Sequence, residues 1–248
     1  MKHISPYFLA AIISFTRLPL GSQQLAAEHF ARALQYLPGA GLLIGLMTAL
    51  VYWLANGLAT PLLASFFALL AGILLTGALH EDGFADCCDG FGAGGDADNI
   101  LRIMKDSATG VYATLGLIIL LGGKLLLFNE MLAEKHILAL IAMHVLARFI
   151  PLFIVVNSAP ASQSQAKMSA GLHVCRTKLL ASFAVSLAIS LLFLPFLLVL
   201  LLAASVLLTS VWACRMLQRR LGGYNGDSLG GAEQLGEFLI LLLFALYF

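Results

Sequence analysis

Charge is what this sequence lacks first. Only 11% of its 248 residues are charged, against about 25% in a typical soluble domain. That shortage excludes a disordered chain and an ordinary cytosolic enzyme. Basic excess is missing too. The formal net charge is +1, which leaves no basic stripe to neutralise phosphates and excludes nucleic acid as a partner. Cysteine is scarce. The four present, Cys87, Cys88, Cys175 and Cys214, form no Cys-x-x-Cys pair, which argues against a zinc site, a redox site or a disulfide scaffold. Cys214 lies in an apolar run and reads as a small core residue.

What is there instead is hydrocarbon. The chain is 60% hydrophobic with a mean hydropathy of +0.95. A helix needs about 20 apolar residues to cross a bilayer, so this length has room for roughly six to eight spans and no separate soluble domain. The expected class is an all-α, polytopic integral membrane protein forming a single domain over residues 1–248. Apolar runs lie at Pro38–Ala55, Pro61–Leu79, Thr109–Phe128 (broken by Lys124) and Ile137–Val156 (containing His144 and Arg148). The block Leu179–Leu217 is too long for one span and divides at Pro195. Leu235–Phe248, extended backward through Gly230–Gln234, is the last. About seven spans follow. Ile4–Leu20 is short and bracketed by Pro6 and Pro19, so it reads as interfacial or re-entrant. Lys2 followed by apolar residues resembles a weak signal peptide, but no A-x-A site follows and the segment is read as retained.

The basic residues sort by side. Lys2, Arg17, Arg32, Arg102, Lys105, Lys167, Arg176, Lys178, Arg215, Arg219 and Arg220 fall on one side of a seven-span chain, and Lys135 alone on the other. The positive-inside rule then places the N-terminus in the cytoplasm. The acids are more localised still. Of thirteen, seven lie between Glu81 and Asp106 and three between Asp227 and Glu237, both on the predicted cytoplasmic side.

Lipid insertion of an aspartate costs about 2.5–3.5 kcal/mol at mid-bilayer, so the first island must meet water or line a protein cavity. If the second helix continues through it, Asp82, Asp86 and Asp89 fall at i, i+4 and i+7, on one face. Like charges at that spacing repel. A divalent cation is the economical compensation, and hard oxygen donors favour Mg²⁺ or Mn²⁺ over Zn²⁺. The competing reading is a solvated loop with helix caps. Arg102, Lys105, Asp106 and Ser107 follow as a turn that can hold phosphate or simply stop transfer through the membrane. In the second island Asp227 or Ser228 can cap the final helix. Glu233 and Glu237 stand i, i+4 at the entry to an apolar helix and need a partner, which a metal shared with the first island would supply. His80 reads as a ligand, a base or an interfacial histidine. His144 and Arg148, i, i+4 within a span, can anchor a phosphate or a carboxamide, or pair with a buried acid. Glu130, Glu134, Lys135 and His136 read as a solvated outer loop.

Four stretches in order resemble the cobalamin synthases, also called adenosylcobinamide-GDP ribazoletransferases. They are Phe15-Thr16-Arg17-Leu18-Pro19, then His80-x-Asp82-Gly83-x-Ala85-Asp86-x-x-Asp89-Gly90, then Met104-Lys105-Asp106-Ser107-x-x-Gly110, and Gly226-Asp227-x-Leu229-Gly230 with Glu233 and Glu237. Glu81 stands where the family pattern leads one to expect an apolar residue, and Lys105 where arginine is common. The resemblance implies a transferase of the bacterial inner membrane, active site cytoplasmic, acting late in cobalamin biosynthesis. It would join adenosylcobinamide-GDP to α-ribazole or its 5′-phosphate and release GMP, with Mg²⁺. On this reading Asp82, Asp86 and Asp89 bind Mg²⁺, with Asp227, Glu233 or Glu237 completing that site or a second. One carboxylate or His80 accepts the hydroxyl proton, and Arg102, Lys105 and Arg17 contact phosphates beside Asp106 and Ser107. A homo-oligomer, or association with other cobalamin-assembly enzymes, is compatible with it. Two rivals are weaker. A CDP-alcohol phosphotransferase wants an arginine after Ala85, where Asp86 stands. A cation transporter wants acids spread through the spans, whereas these cluster.

Overall fold

The computed structural model describes residues 5–20, 25–26, 28–29, 32–133, 137–162 and 174–248. Lys2, Lys135, Lys167 and the Glu134–His136 part of the expected outer loop lie outside the described residues. The helices are α1 (Pro6–Phe15), α2 (Leu37–Asn56, entered through a 3₁₀ turn at Ala33–Tyr36), α3 (Pro61–Thr76), α4 (Leu79–Ala93), α5 (Ala97–Met104), α6 (Val111–Ala133), α7 (Leu138–Ala147), α8 (Phe149–Asn157), α9 (Arg176–Leu191), α10 (Phe196–Leu221) and α11 (Gly226–Tyr247). Among the described residues there is no strand, only an isolated bridge between Pro160 and Tyr224.

All seven expected apolar runs are helical. Among the described residues five stretches are long and apolar enough to cross a membrane: Ala33–Asn56, Val111–Glu130, Leu138–Asn157, Phe196–Leu221 and Gly226–Tyr247. Helix α9 has 16 residues, about 24 Å of rise against a core of about 30 Å. Helix α3 qualifies as a sixth only when joined to α4, and the two are bent by 89°. The α7–α8 pair is the most buried of the spans and forms the middle of the bundle. Helix α2 reaches it closely because of two glycines. A Cβ at Gly45 would lie 2.7 Å from the Ile141 Cα, and one at Gly41 would strike the His144 carbonyl. Small residues at such crossings let backbones approach.

The acidic helix is not a continuation of the second span. Thr60 caps α3 at its start through the Leu63 N–H. At its end Gly77 takes φ +68° and Ala78 φ +57°. The Ala78 N–H returns to Ile73 O at 2.9 Å and the Gly77 N–H to Leu74 O at 3.3 Å, the paired bonds of a Schellman stop. The Ala78 carbonyl then accepts from the Asp82 N–H at 2.9 Å, which starts α4 at once in a new direction. A left-handed alanine costs about 1 kcal/mol, and here that strain sits two residues from His80.

Helix α4 then packs along α11. A Cβ at Gly83 would lie 2.6 Å from the Asp227 carbonyl oxygen, one at Gly230 3.2 Å from His80 Cα, and one at Gly231 3.0 Å from the Cys87 sulfur. Glycine on both partners is what brings the two acidic islands, about 140 residues apart in sequence, onto one surface.

Candidate active site

Asp82, Asp86 and Asp89 do lie on one helix, but they meet different surroundings. Asp82 is exposed, and Asp86 and Asp89 are half-buried. Both Asp89 oxygens accept backbone N–H groups, from Gly110 at 2.6 Å and Ala113 at 2.9 Å. Asp89 thus closes the open N-terminus of α6, the work of a capping residue supplied from another helix. Gly110 is small enough to permit this, since a Cβ there would lie 2.6 Å from Asp89 Oδ1. Asp86 sits among negative charge. Burial first, then Asp227, Asp82 and Asp89, push its carboxyl up to about 6.

Asp227 approaches from α11. Its neighbour Asn225 caps that helix: Asn225 Oδ1 accepts the Ser228 N–H at 2.9 Å, and Ser228 Oγ accepts the Asn225 N–H at 3.0 Å. The expected cap by Asp227 or Ser228 is therefore a capping box built on Asn225. Asp227 accepts from Asn225 Nδ2 at 2.9 Å and keeps its remaining lone pairs for a cavity.

That cavity, of about 340 Å³, has Asp82, Asp227, His80 and Glu233 on its polar side. Phe15, Leu34, Leu37, Pro151 and Leu229 are among its apolar lining. His80 is stacked on Phe15, centroids 6.4 Å apart and planes 11° from parallel, and its Nε2 lies 3.4 Å from Glu233 Oε2. The imidazole is thereby fixed by a ring on one side and a carboxylate on the other. Burial pulls its pKa down to about 4, ahead of the Arg148 charge acting the same way. The ring is uncharged and lines the cavity, so its position rather than its basicity makes His80 a candidate proton acceptor.

Glu233 and Glu237 have found their partners, and these are cations of the chain itself. Lys124 Nζ donates to Glu237 Oε2 at 2.6 Å and to the side-chain Oε1 of Gln234. His144 Nδ1 lies 2.9 Å from Glu237 Oε1. Arg148 Nη2 lies 3.4 Å from Glu233 Oε1, and Nη1 3.5 Å from Glu237 Oε1. Every member is buried. Of the sequence readings of His144 and Arg148, pairing with a buried acid is the one observed. Glu81, which looked anomalous, is buried at the edge of the same group, and its Oε2 has no hydrogen-bond partner among the described residues. Lys124 and Gln234 are the residues that sequence reasoning missed. A lone lysine in an apolar run was the available signal, because such a charge needs a countercharge at its own depth.

The basic candidates separate. Lys105 is exposed, and its charge reaches Asp227. Arg102 is also exposed and donates to Asn99 Oδ1 at 2.9 Å. Asp106 accepts from the Ala108 N–H at 3.1 Å, and Ser107 is exposed beside it. Arg17 lies elsewhere, across Gly77 at the α3–α4 bend, with its own N–H donating to Leu75 O at 2.7 Å.

Among the described residues no three His, Cys, Asp or Glu side chains are grouped tightly enough to cage a metal by themselves. Magnesium does not require such a cage, because it usually keeps waters and binds one or two carboxylates together with substrate phosphates. An all-oxygen set on a cavity rim, with Asp86 crowded by negative neighbours, has the chemistry for that ion.

The chain resembles several named proteins along almost its whole length. It is 36% identical over 250 residues to an adenosylcobinamide-GDP ribazoletransferase of Shewanella frigidimarina, covering 95% of this chain and 93% of that one. A protein of the same name from Vibrio cholerae serotype O1 is 35% identical over 240 residues, covering 95% and 92%. No solved structure matches. The sequence profile of the cobalamin-5-phosphate synthases matches residues 7–245, and with that the chain belongs to the cobalamin-5-phosphate synthase family.

Proposed function

We propose that this protein catalyses the reaction for which its relatives are named, as an adenosylcobinamide-GDP ribazoletransferase. A hydroxyl of α-ribazole, or of its 5′-phosphate, attacks the cobinamide-side phosphorus of the pyrophosphate, and GMP departs. One observation carries the reading: Asp82 of α4 and Asp227 of α11 face a single cavity that also holds His80.

Phosphoryl transfer rests on positioning and charge neutralisation. Asp82, Asp86 and Asp227 would hold Mg²⁺, which when bound supplies neutralisation of the phosphate oxygens. His80, held by Phe15 and Glu233, takes the hydroxyl proton on a free imidazole nitrogen. Lys105 steers the phosphates toward the aspartate rim, and the apolar wall from Phe15 to Pro151 excludes water. Asp89 serves this arrangement by fixing α6. Glu233 and Glu237 serve it by holding α11 to the bundle. On the seven-span reading of the sequence the site lies on the side bearing eleven of the twelve loop cations, which the positive-inside rule makes the cytoplasmic face of a bacterial inner membrane.

The test is direct. Purified protein in detergent, given adenosylcobinamide-GDP, α-ribazole and Mg²⁺, releases GMP and cobalamin in equal amounts, and EDTA stops both. Absence of product where the Vibrio relative turns over overturns the assignment. Undiminished turnover after EDTA overturns the metal role alone.

A further inference from the structure

A second basic feature lies on α10, away from the aspartate rim. Leu208, Trp212, Arg215 and Arg219 follow at i, i+4, i+7 and i+11, so they share one helix face. They border a groove of about 760 Å³, closed on its other side by Phe91 of α4. Arg220 joins them, its guanidinium 5.9 Å from the centre of the Phe91 ring. All three arginines are exposed, and among the described residues none is paired with a carboxylate. Below them Trp212 is 53% exposed and Leu208 71%.

The groove continues inward. A second cavity, of about 220 Å³, shares Phe91, Trp212 and Met216 with it and runs between α4, α10 and α11. Its walls are nearly all apolar: Phe84, Cys87, Leu217 and Leu235 are typical. A cationic rim thus opens onto a hydrocarbon slot. A free nucleotide fits the rim and leaves the slot bare. Arginines placed only to orient the chain in the membrane need neither groove nor slot. A molecule with an anionic phosphate and an acyl chain matches both parts.

We infer that this groove is a binding site for an anionic phospholipid, its phosphate on Arg215, Arg219 and Arg220 and one chain in the slot beside Trp212. Arginine forks suit phosphate oxygens, and basic pockets at the ends of spanning helices are suited to anionic headgroups. The slot walls include α4 and α11, so the lipid buttresses the two helices that carry the aspartates from their far side.

The chain has two tryptophans, Trp53 and Trp212. Trp53→Phe leaves Trp212 as the only reporter. In detergent micelles this variant is titrated with phosphatidylglycerol or phosphatidylcholine carrying the same brominated chains. Saturable quenching is expected at a mole fraction at least about fivefold lower for phosphatidylglycerol, the weight of one arginine–headgroup contact. Arg219→Gln/Arg220→Gln in the same background brings the two lipids together, and Arg219→Lys/Arg220→Lys restores the difference in part. Equal quenching by both lipids in the Trp53→Phe protein overturns the site and needs no arginine variant to fold. Displacement of the brominated lipid by millimolar GDP, but not by inorganic phosphate, also overturns it and makes the rim a nucleotide subsite.

Discussion

Helix α11 carries two kinds of acid, and two turns separate them. Asp227 stands at its first turn, opposite Asp82, on the rim of a cavity. Glu233 and Glu237 stand deeper, both buried and each facing a cation, and Glu233 still lines that cavity. The residue class is nearly the same, and the partner decides the role. The rim acids have an excess of negative charge, which leaves work for an exogenous cation. The deep acids face basic groups of the chain itself, Lys124, Arg148 and the His144 ring on Glu237, and Arg148 on Glu233. A carboxylate is therefore a metal ligand or a tether according to what the fold puts opposite it.

The comparison can be broken most forcefully from the deep side. Glu237→Gln leaves Lys124 buried without a countercharge, and breaking one partner of a buried pair costs about 3–5 kcal/mol. Thermal unfolding in detergent should fall sharply or no monodisperse protein should be recovered. Lys124→Met with Glu237→Leu should recover much of the loss, since apolar replacement of a whole buried pair is often neutral. At the rim the pattern inverts. Asp82→Asn should lower GMP release at least about a hundredfold, the scale of losing one preorganised electrostatic group, with the unfolding midpoint nearly unchanged. A large drop in that midpoint would make Asp82 a second tether.

Two smaller effects sharpen the contrast. Gly83→Ala pushes a methyl against the Asp227 carbonyl and must part α4 from α11, at about 1–3 kcal/mol. Turnover should fall more than stability, because the displaced groups are the rim acids. Asp89→Ala removes the borrowed cap of α6 and should cost about 1 kcal/mol, while Asp89→Asn, which still accepts one N–H, should cost less. A loss of turnover in Asp89→Asn as deep as in Asp82→Asn would return Asp89 to the metal site.

The sequence made much of this legible, and the limits have physical reasons. Spacing alone put Asp82, Asp86 and Asp89 on one helical face, and glycines beside the acids marked where backbones approach. What spacing does not reveal is the partner across a helix crossing. Lys124 and Glu237 are 113 residues apart, and only the packing of α6 on α11 joins them. Asp89 looked equivalent to Asp82 because a helical wheel ignores the axial position that brings Asp89 over the first turn of α6. The bend before α4 was hidden for another reason. Gly77 is a normal helix stop, but a second left-handed residue at Ala78 contradicts local preference and is imposed by the tertiary structure.

The deep ion group also constrains how the chain is made. Lys124 and Arg148 leave the ribosome long before Glu233 and Glu237, which come from α11. Until that helix arrives, two cations sit in a nascent bundle whose carboxylate already made, Glu81, lies at the edge of the group. The half-made protein is therefore electrically incomplete, and insertion of α11 is the step that locks it. A chain interrupted before Glu233 would lack both deep carboxylates and leave Lys124 and Arg148 with excess positive charge inside the bundle.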